Sequence, residues 1–207
     1  MGETQALQNL KSRLTEVESI LKAHEAMVRF RNLEDGLTQE TKNILGQTLN
    51  ALQSLVSSVG RGRPKGDQVV PLNRAAIALI SSHLQGYISE VFAECAMILL
   101  DGKVESVECV INQAPTRGNP NPENIKRLFQ CIGFPDILEN IHWQKMQNKT
   151  VRDKLREIVE LRNRIVHGTP EAVQKTKVVN LKIFVERFTK HFDKKLEKAT
   201  RNLAALH

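Results

Sequence analysis

Apolar residues recur along this chain in steps of three and four, and long strands rich in Val, Ile, Thr and Tyr are absent. Leu7, Leu10, Leu14, Val17, Leu21, His24 and Val28 form one seam, coiled-coil-like in its spacing. Asn32-Leu33-Glu34-Asp35-Gly36 reads as a turn. Thr38 can then cap a second helix carrying Leu45, Leu49, Leu52, Val56 and Val59. The two segments predict an antiparallel helical hairpin over residues 1–60.

A break follows at Gly60-Arg61-Gly62-Arg63-Pro64-Lys65-Gly66, so residues 61–70 are expected to be a basic linker. Its Arg-Gly-Arg-Pro core resembles an AT-hook, which reads narrow minor grooves. A flexible linker with incidental phosphate affinity is the plainer reading.

From Pro71 to about Leu100 the pattern predicts a strongly apolar helix, with Ile80, Leu84, Tyr87, Ile88, Val91, Cys95 and Ile98 on one stripe. His83, Glu90 and Glu94 share a flank of that stripe. Two acids beside a buried face need a cation or water there, unless the flank is a solvent-facing border. Val104–Ile111 suggests a short helix, and Asn121-Pro122 starts another that runs to about Cys131, with Pro at its first position. Gly133-Phe134-Pro135 stops it, and Trp143, the only tryptophan, is expected to anchor the segment to the core.

The next helix should begin near a capping Thr150 and end at Gly168 in a left-handed C-cap. Val151, Leu155, Ile158, Val159, Leu161, Ile165 and Val166 form its apolar stripe, and Arg162 falls in the middle of it. A guanidinium cannot shed its proton, and burying it unpaired is costly. It must meet a carboxylate, another subunit or a bound anion; Glu90 and Glu94 are the internal candidates. Asn163 and His167, four residues apart, lie one above the other on the edge of the stripe.

Composition narrows the class. In 207 residues, 4% aromatic and 41% hydrophobic, there is room for one substantial core, and helices are favoured. No apolar run approaches the roughly 20 residues of a membrane span, and the polar start of the chain carries no signal core. Cys95, Cys109 and Cys131 contain no CxxC pair and read as reduced packing residues of a cytoplasmic protein. His24, His83, His142, His167, His191 and His207 are too scattered to suggest metal ligation, and no cofactor is implied. The net charge of +7 is concentrated in residues 174–207, where nine basic residues face three acidic ones. That basic face either binds a phosphate backbone or is merely solvated.

Arg162, Asn163 and His167 suit metal-free cleavage of RNA. Arg can neutralise the pentacoordinate phosphate, and His can take the 2′-hydroxyl proton or protonate the leaving 5′-oxygen. Asn can orient the imidazole or bond the ribose. Arg164, Lys190, Lys194, Lys195 and Lys198 are candidate RNA-binding residues. Arg and His at this spacing also arise by chance, and a His beside a terminal Gly can simply complement a helix dipole.

Leu161-Arg162-Asn163-Arg164-Ile165-Val166-His167-Gly168 resembles the R-N-x-x-x-H motif of the HEPN superfamily. The helix from Leu72-Asn73-Arg74-Ala75 through His83 to Glu90 is similar to the preceding core helix of its RiboL-PSP-HEPN and MAE-type branches. The resemblance covers roughly residues 68–207. It implies an all-α bundle over residues 71–207 that homodimerises, bringing two motifs into one cleft, with Arg162 and His167 catalytic and Asn163 supporting them. It further implies an endoribonuclease of a toxin or antiviral-defence system, leaving 2′,3′-cyclic phosphate and 5′-hydroxyl ends, with an antitoxin or sensor as a possible partner. Toxins of this kind silenced by a nucleotidyltransferase usually carry Tyr two residues after the motif His. Thr169 stands there instead, which argues against that form of neutralisation. The competing reading is a non-catalytic helical module that binds nucleic acid or a partner.

Overall fold

The structure, a computed structural model, describes residues 3–35, 70–100, 110, 119–169 and 172–204. Five helices hold most of these residues: α1 (Gln5–Asp35), α2 (Val70–Leu99), α3 (Pro122–Gln130), α4 (Asn148–Val166) and α5 (Lys175–Ala204). Among the described residues there is no strand beyond an isolated bridge between Trp143 and Met146. The fold is an all-α bundle. The second helix expected in the hairpin and the Arg-Gly-Arg-Pro linker lie outside the described residues, as does the short helix expected at Val104–Ile111, save for Val110.

α2 is the hub, and each of the other four helices packs on it. Its apolar residues are dense enough to bury nearly all round; Ile77, Ile80, Leu84, Tyr87, Val91 and Phe92 are at most 1% exposed. Hydrogen bonds set the directions of its neighbours. Asn73 Nδ2 donates to the Val173 carbonyl (2.8 Å) and Tyr87 Oη to the Thr189 carbonyl (3.2 Å), so α5 runs parallel to α2. Arg74 Nη2 donates to the Thr169 carbonyl (3.0 Å), so α4 runs antiparallel to it.

α1 also lies antiparallel to α2, with Ala6, Leu7, Leu10, Leu14 and Val17 buried in the common core. It is part of the bundle, not a layer set beside it. The flank of α2 carrying His83, Glu90 and Glu94 is its docking face. Glu94 accepts from the Ala6 amide (2.7 Å); Glu90 accepts from Asn9 Nδ2 (3.0 Å) and pairs with Arg13 (2.5 Å). His83 Nε2 lies 3.3 Å from a Glu16 carboxylate oxygen. At the same end of α1, the buried Asp193 of α5 accepts from the Thr4 amide (3.3 Å) and hydroxyl (2.5 Å).

α3 begins where Asn-Pro predicts, because the Asn121 side chain accepts from the Asn124 amide (2.8 Å) and caps it. Phe129 then enters an aromatic cluster, edge-on to Phe92 and Phe192 at centroid distances of 5.6 and 5.4 Å. α4 starts slightly ahead of expectation. Gln147 is its N-cap, without a side-chain capping bond, and Thr150 falls inside the first turn. Among the described residues no helix is long and apolar enough to cross a membrane.

Candidate active site

The stripe of α4 is buried over its first turns and opens at its last. Val151, Leu155, Ile158, Val159 and Leu161 are buried; Ile165 is half-buried and Val166 is 56% exposed. Arg162 sits where this opening begins and is itself half-buried. The cation on the stripe is therefore tolerated because the bundle ends there, leaving the guanidinium partly in water.

The helix closes behind the motif as the glycine predicts. Gly168 has φ +76°. Its amide donates to the Ile165 carbonyl (3.2 Å) and the Thr169 amide to the Arg164 carbonyl (2.9 Å), the paired bonds of a Schellman motif. The His167 amide donates to the Asn163 carbonyl (2.9 Å), which leaves His167 as the cap residue with an exposed side chain. Arg74 then holds the Thr169 carbonyl from α2, so the chain leaving the motif is tied down.

Within the motif, Arg162 Nη1 donates to Asn163 Oδ1 (3.1 Å). Asn119 Nδ2 approaches the same oxygen at 3.5 Å, from the loop before α3. Asn163 therefore orients the guanidinium, and among the described residues no carboxylate does. The expectation that Glu90 or Glu94 braces Arg162 is corrected. Both acids are engaged by α1, and they stand roughly 24 and 30 Å along α2 from Arg74, at the other end of the bundle.

The candidate RNA-binding residues divide in the same way. Arg164 is exposed on the motif's own turn. Lys190, Lys194, Lys195 and Lys198 lie roughly 25–38 Å along α5 from Val173, away from the motif. Lys190, Lys194 and Lys198 are exposed, whereas Lys195 is half-buried and donates to the Glu139 carbonyl, a tether between α5 and the preceding turn. Two residues at the motif end escaped the sequence reading. Arg74 and Asn119 carry no local signal for their roles, which depend on the tertiary approach of α2 and the 119–121 loop.

A cavity of about 250 Å³ lies on the flank of α4 near the motif, lined by Glu157, Leu161, Arg164, Val173, Gln174 and Lys177 among others. Glu157 bridges Lys154 and Lys177 there, and burial lowers the pKa of Lys177, with Lys154 adding to the effect. Among the described residues no three His, Cys, Asp or Glu side chains gather as metal ligands would.

The end of α4 thus presents an Arg and an Asn, with an exposed His as the cap residue, where the helical bundle opens. The family model for RiboL-PSP-HEPN matches residues 38–198, and the chain belongs to that family. No curated protein and no solved structure matches it.

Proposed function

We propose that the protein is a metal-independent endoribonuclease whose active centre is built on Arg162, Asn163 and His167. The observation that carries this reading is the end of α4, where Asn163 accepts from the Arg162 guanidinium and His167, the cap residue, is exposed. In the reaction, a base removes the 2′-hydroxyl proton as O2′ bonds to phosphorus. The P–O5′ bond breaks, and an acid protonates the departing 5′-oxygen. The products are a 2′,3′-cyclic phosphate and a 5′-hydroxyl. Arg162 stabilises the charge on the non-bridging oxygens, and an imidazole with a reference pKa near 6.5 serves as base or acid.

One His167 cannot occupy both faces of the phosphorus at once. A homodimer supplies the second, and the exposed Val166, one turn from Arg162, is the apolar surface on which two copies would meet. Such an enzyme fits a cytoplasmic toxin or antiviral effector, restrained by an antitoxin or sensor until needed.

The test is cleavage of RNA in EDTA followed by analysis of the ends. Wild type is expected to leave cyclic phosphates, and Arg162→Ala or His167→Ala to lose activity by at least about 100-fold, the usual scale of an acid–base group. Cleavage that survives both substitutions removes the site assignment. RNA binding without cleavage in the wild type would instead favour a non-catalytic module, for which the exposed Lys190, Lys194 and Lys198 are the natural surface.

A further inference from the structure

Trp143 does more than anchor its loop. Phe184 and His191 are seven residues apart on α5, about 10.5 Å along its axis, and the indole is wedged between them. It lies 6.0 Å from the Phe184 ring, and 5.1 Å from the His191 imidazole at an interplanar angle of 8°. The buried Phe184 ring is tilted 36° to the indole, and the indole stacks flat on His191, which is exposed. An ordinary core contact would hide the outer ring; this stack delivers it to the surface.

The surroundings of His191 are cationic. Lys190 and Lys194 flank it on α5, both exposed, and Lys198 continues the same side one turn on. Burial lowers the His191 pKa, and Lys194, Lys190 and His142 lower it further, so the ring is kept neutral among cations. A neutral aromatic ring edged by lysines is the arrangement that binds single strands: a base stacks on the ring and the cations follow the backbone.

We infer that the Trp143–His191 stack, with Lys190, Lys194 and Lys198, is a stacking platform for single-stranded RNA, separate from the cleavage motif. The inference rests on RNA being the substrate, as proposed above. The platform stands roughly 27 Å along α5 from Val173, beside which α4 ends, so it would grip substrate several nucleotides away from the scissile bond. Its preference is for unpaired strands, since a paired base offers no free face.

Trp143 is the only tryptophan, which makes the platform self-reporting. Binding is measured by indole fluorescence, titrating a single-stranded oligouridylate of about 12 nucleotides, a span typical of single-strand grooves. The His167→Ala chain is used so that the probe is not consumed, and failure of the cleavage reading leaves the binding result intact. Fluorescence is expected to change on binding. His191→Ala should weaken affinity on the order of 5- to 100-fold, and His191→Phe, which keeps a stacking face, should recover most of it. Lys190→Gln and Lys194→Gln should each reduce the slope of log K against log salt by about 0.7, the value for one phosphate contact on a single strand. Lys11→Gln, the same charge change on α1, should leave the slope as it is. His191→Ala binding with wild-type affinity, or an unchanged salt slope in the Lys190 and Lys194 variants, overturns the proposal.

Discussion

Replacing glycine by alanine should destabilise this bundle at one position and not at another, and the structure says why. At Gly168 the backbone has φ +76°, and a Cβ built there meets nothing within 4 Å among the described residues. The cost of Gly168→Ala is therefore conformational alone. Holding an L-residue in the left-handed region costs about 1–2 kcal/mol, and this outweighs the 0.4–1 kcal/mol or so gained by restricting the unfolded chain. A net loss of about 1 kcal/mol lowers Tm by about 2–4 °C in a chain of this size. Gly86 is the contrast, since it lies within α2 and its Cβ would come 2.9 Å from Arg13 Nη1, the far end of a flexible side chain. Helix propensity favours alanine there by up to about 1 kcal/mol. A small shift of Arg13 on Glu90 offsets part of that, so Gly86→Ala should be neutral or slightly stabilising. Gly168→Asn, which tolerates the left-handed region, should lose less than Gly168→Ala. Thermal and urea denaturation of the three variants is the assay. A Gly168→Ala protein as stable as wild type, or less stable in Asn than in Ala form, would refute the capping account of how α4 ends at His167.

Phe129→Ala should cost about 3–5 kcal/mol, because its fully buried ring joins Phe92, Phe134 and Phe192; urea midpoints measure this. Stability should also fall as pH drops below about 6.5, the ordinary imidazole value. Burial is the first cause lowering the pKa of His83, ahead of the opposing Glu16 and the reinforcing Arg13, and burial likewise lowers His24. The unfolded chain therefore binds protons that the folded chain refuses, so this contribution is intact above the unfolded pKa and is lost below it. His83→Gln should flatten the dependence of Tm on pH between about 5 and 7; an unaltered slope would mean that His83 is not one of the groups responsible.

How much of this was legible beforehand depended on whether a feature is local. α2 and α4 were readable because periodicity and end signals are written within each helix: Asn121-Pro122 likewise marks α3, and Gly168 marks the close of α4. The same periodicity placed His83, Glu90 and Glu94 on one flank of α2 but could not say what covers it. Arg162 and these acids each need a partner, which makes them look like a pair, yet Arg13 and the first turn of α1 take that flank. Distance along the bundle was likewise invisible. The C-terminal lysines follow the motif in sequence, but α5 runs parallel to α2 and carries them away from it. Trp143 was expected to be an anchor and is one; its exposed continuation at His191 lies 48 positions away and leaves no mark on either segment.

The placing of α1 has a consequence for how the chain reaches this state. Among the described residues its polar partners stand 67 to 88 positions away on α2, and Thr4, just before it, is fastened 189 positions away at Asp193. Closing such distant pairs is entropically slow, and contacts of this kind delay folding relative to local helix pairs. During synthesis α1 emerges ahead of every surface it will cover, and Asp193, which fastens its first turn, is made after the whole of α4. The order of assembly thus runs against the order of translation. The family-matched segment begins at residue 38, so a folding unit defined by it would omit the helix that completes the core.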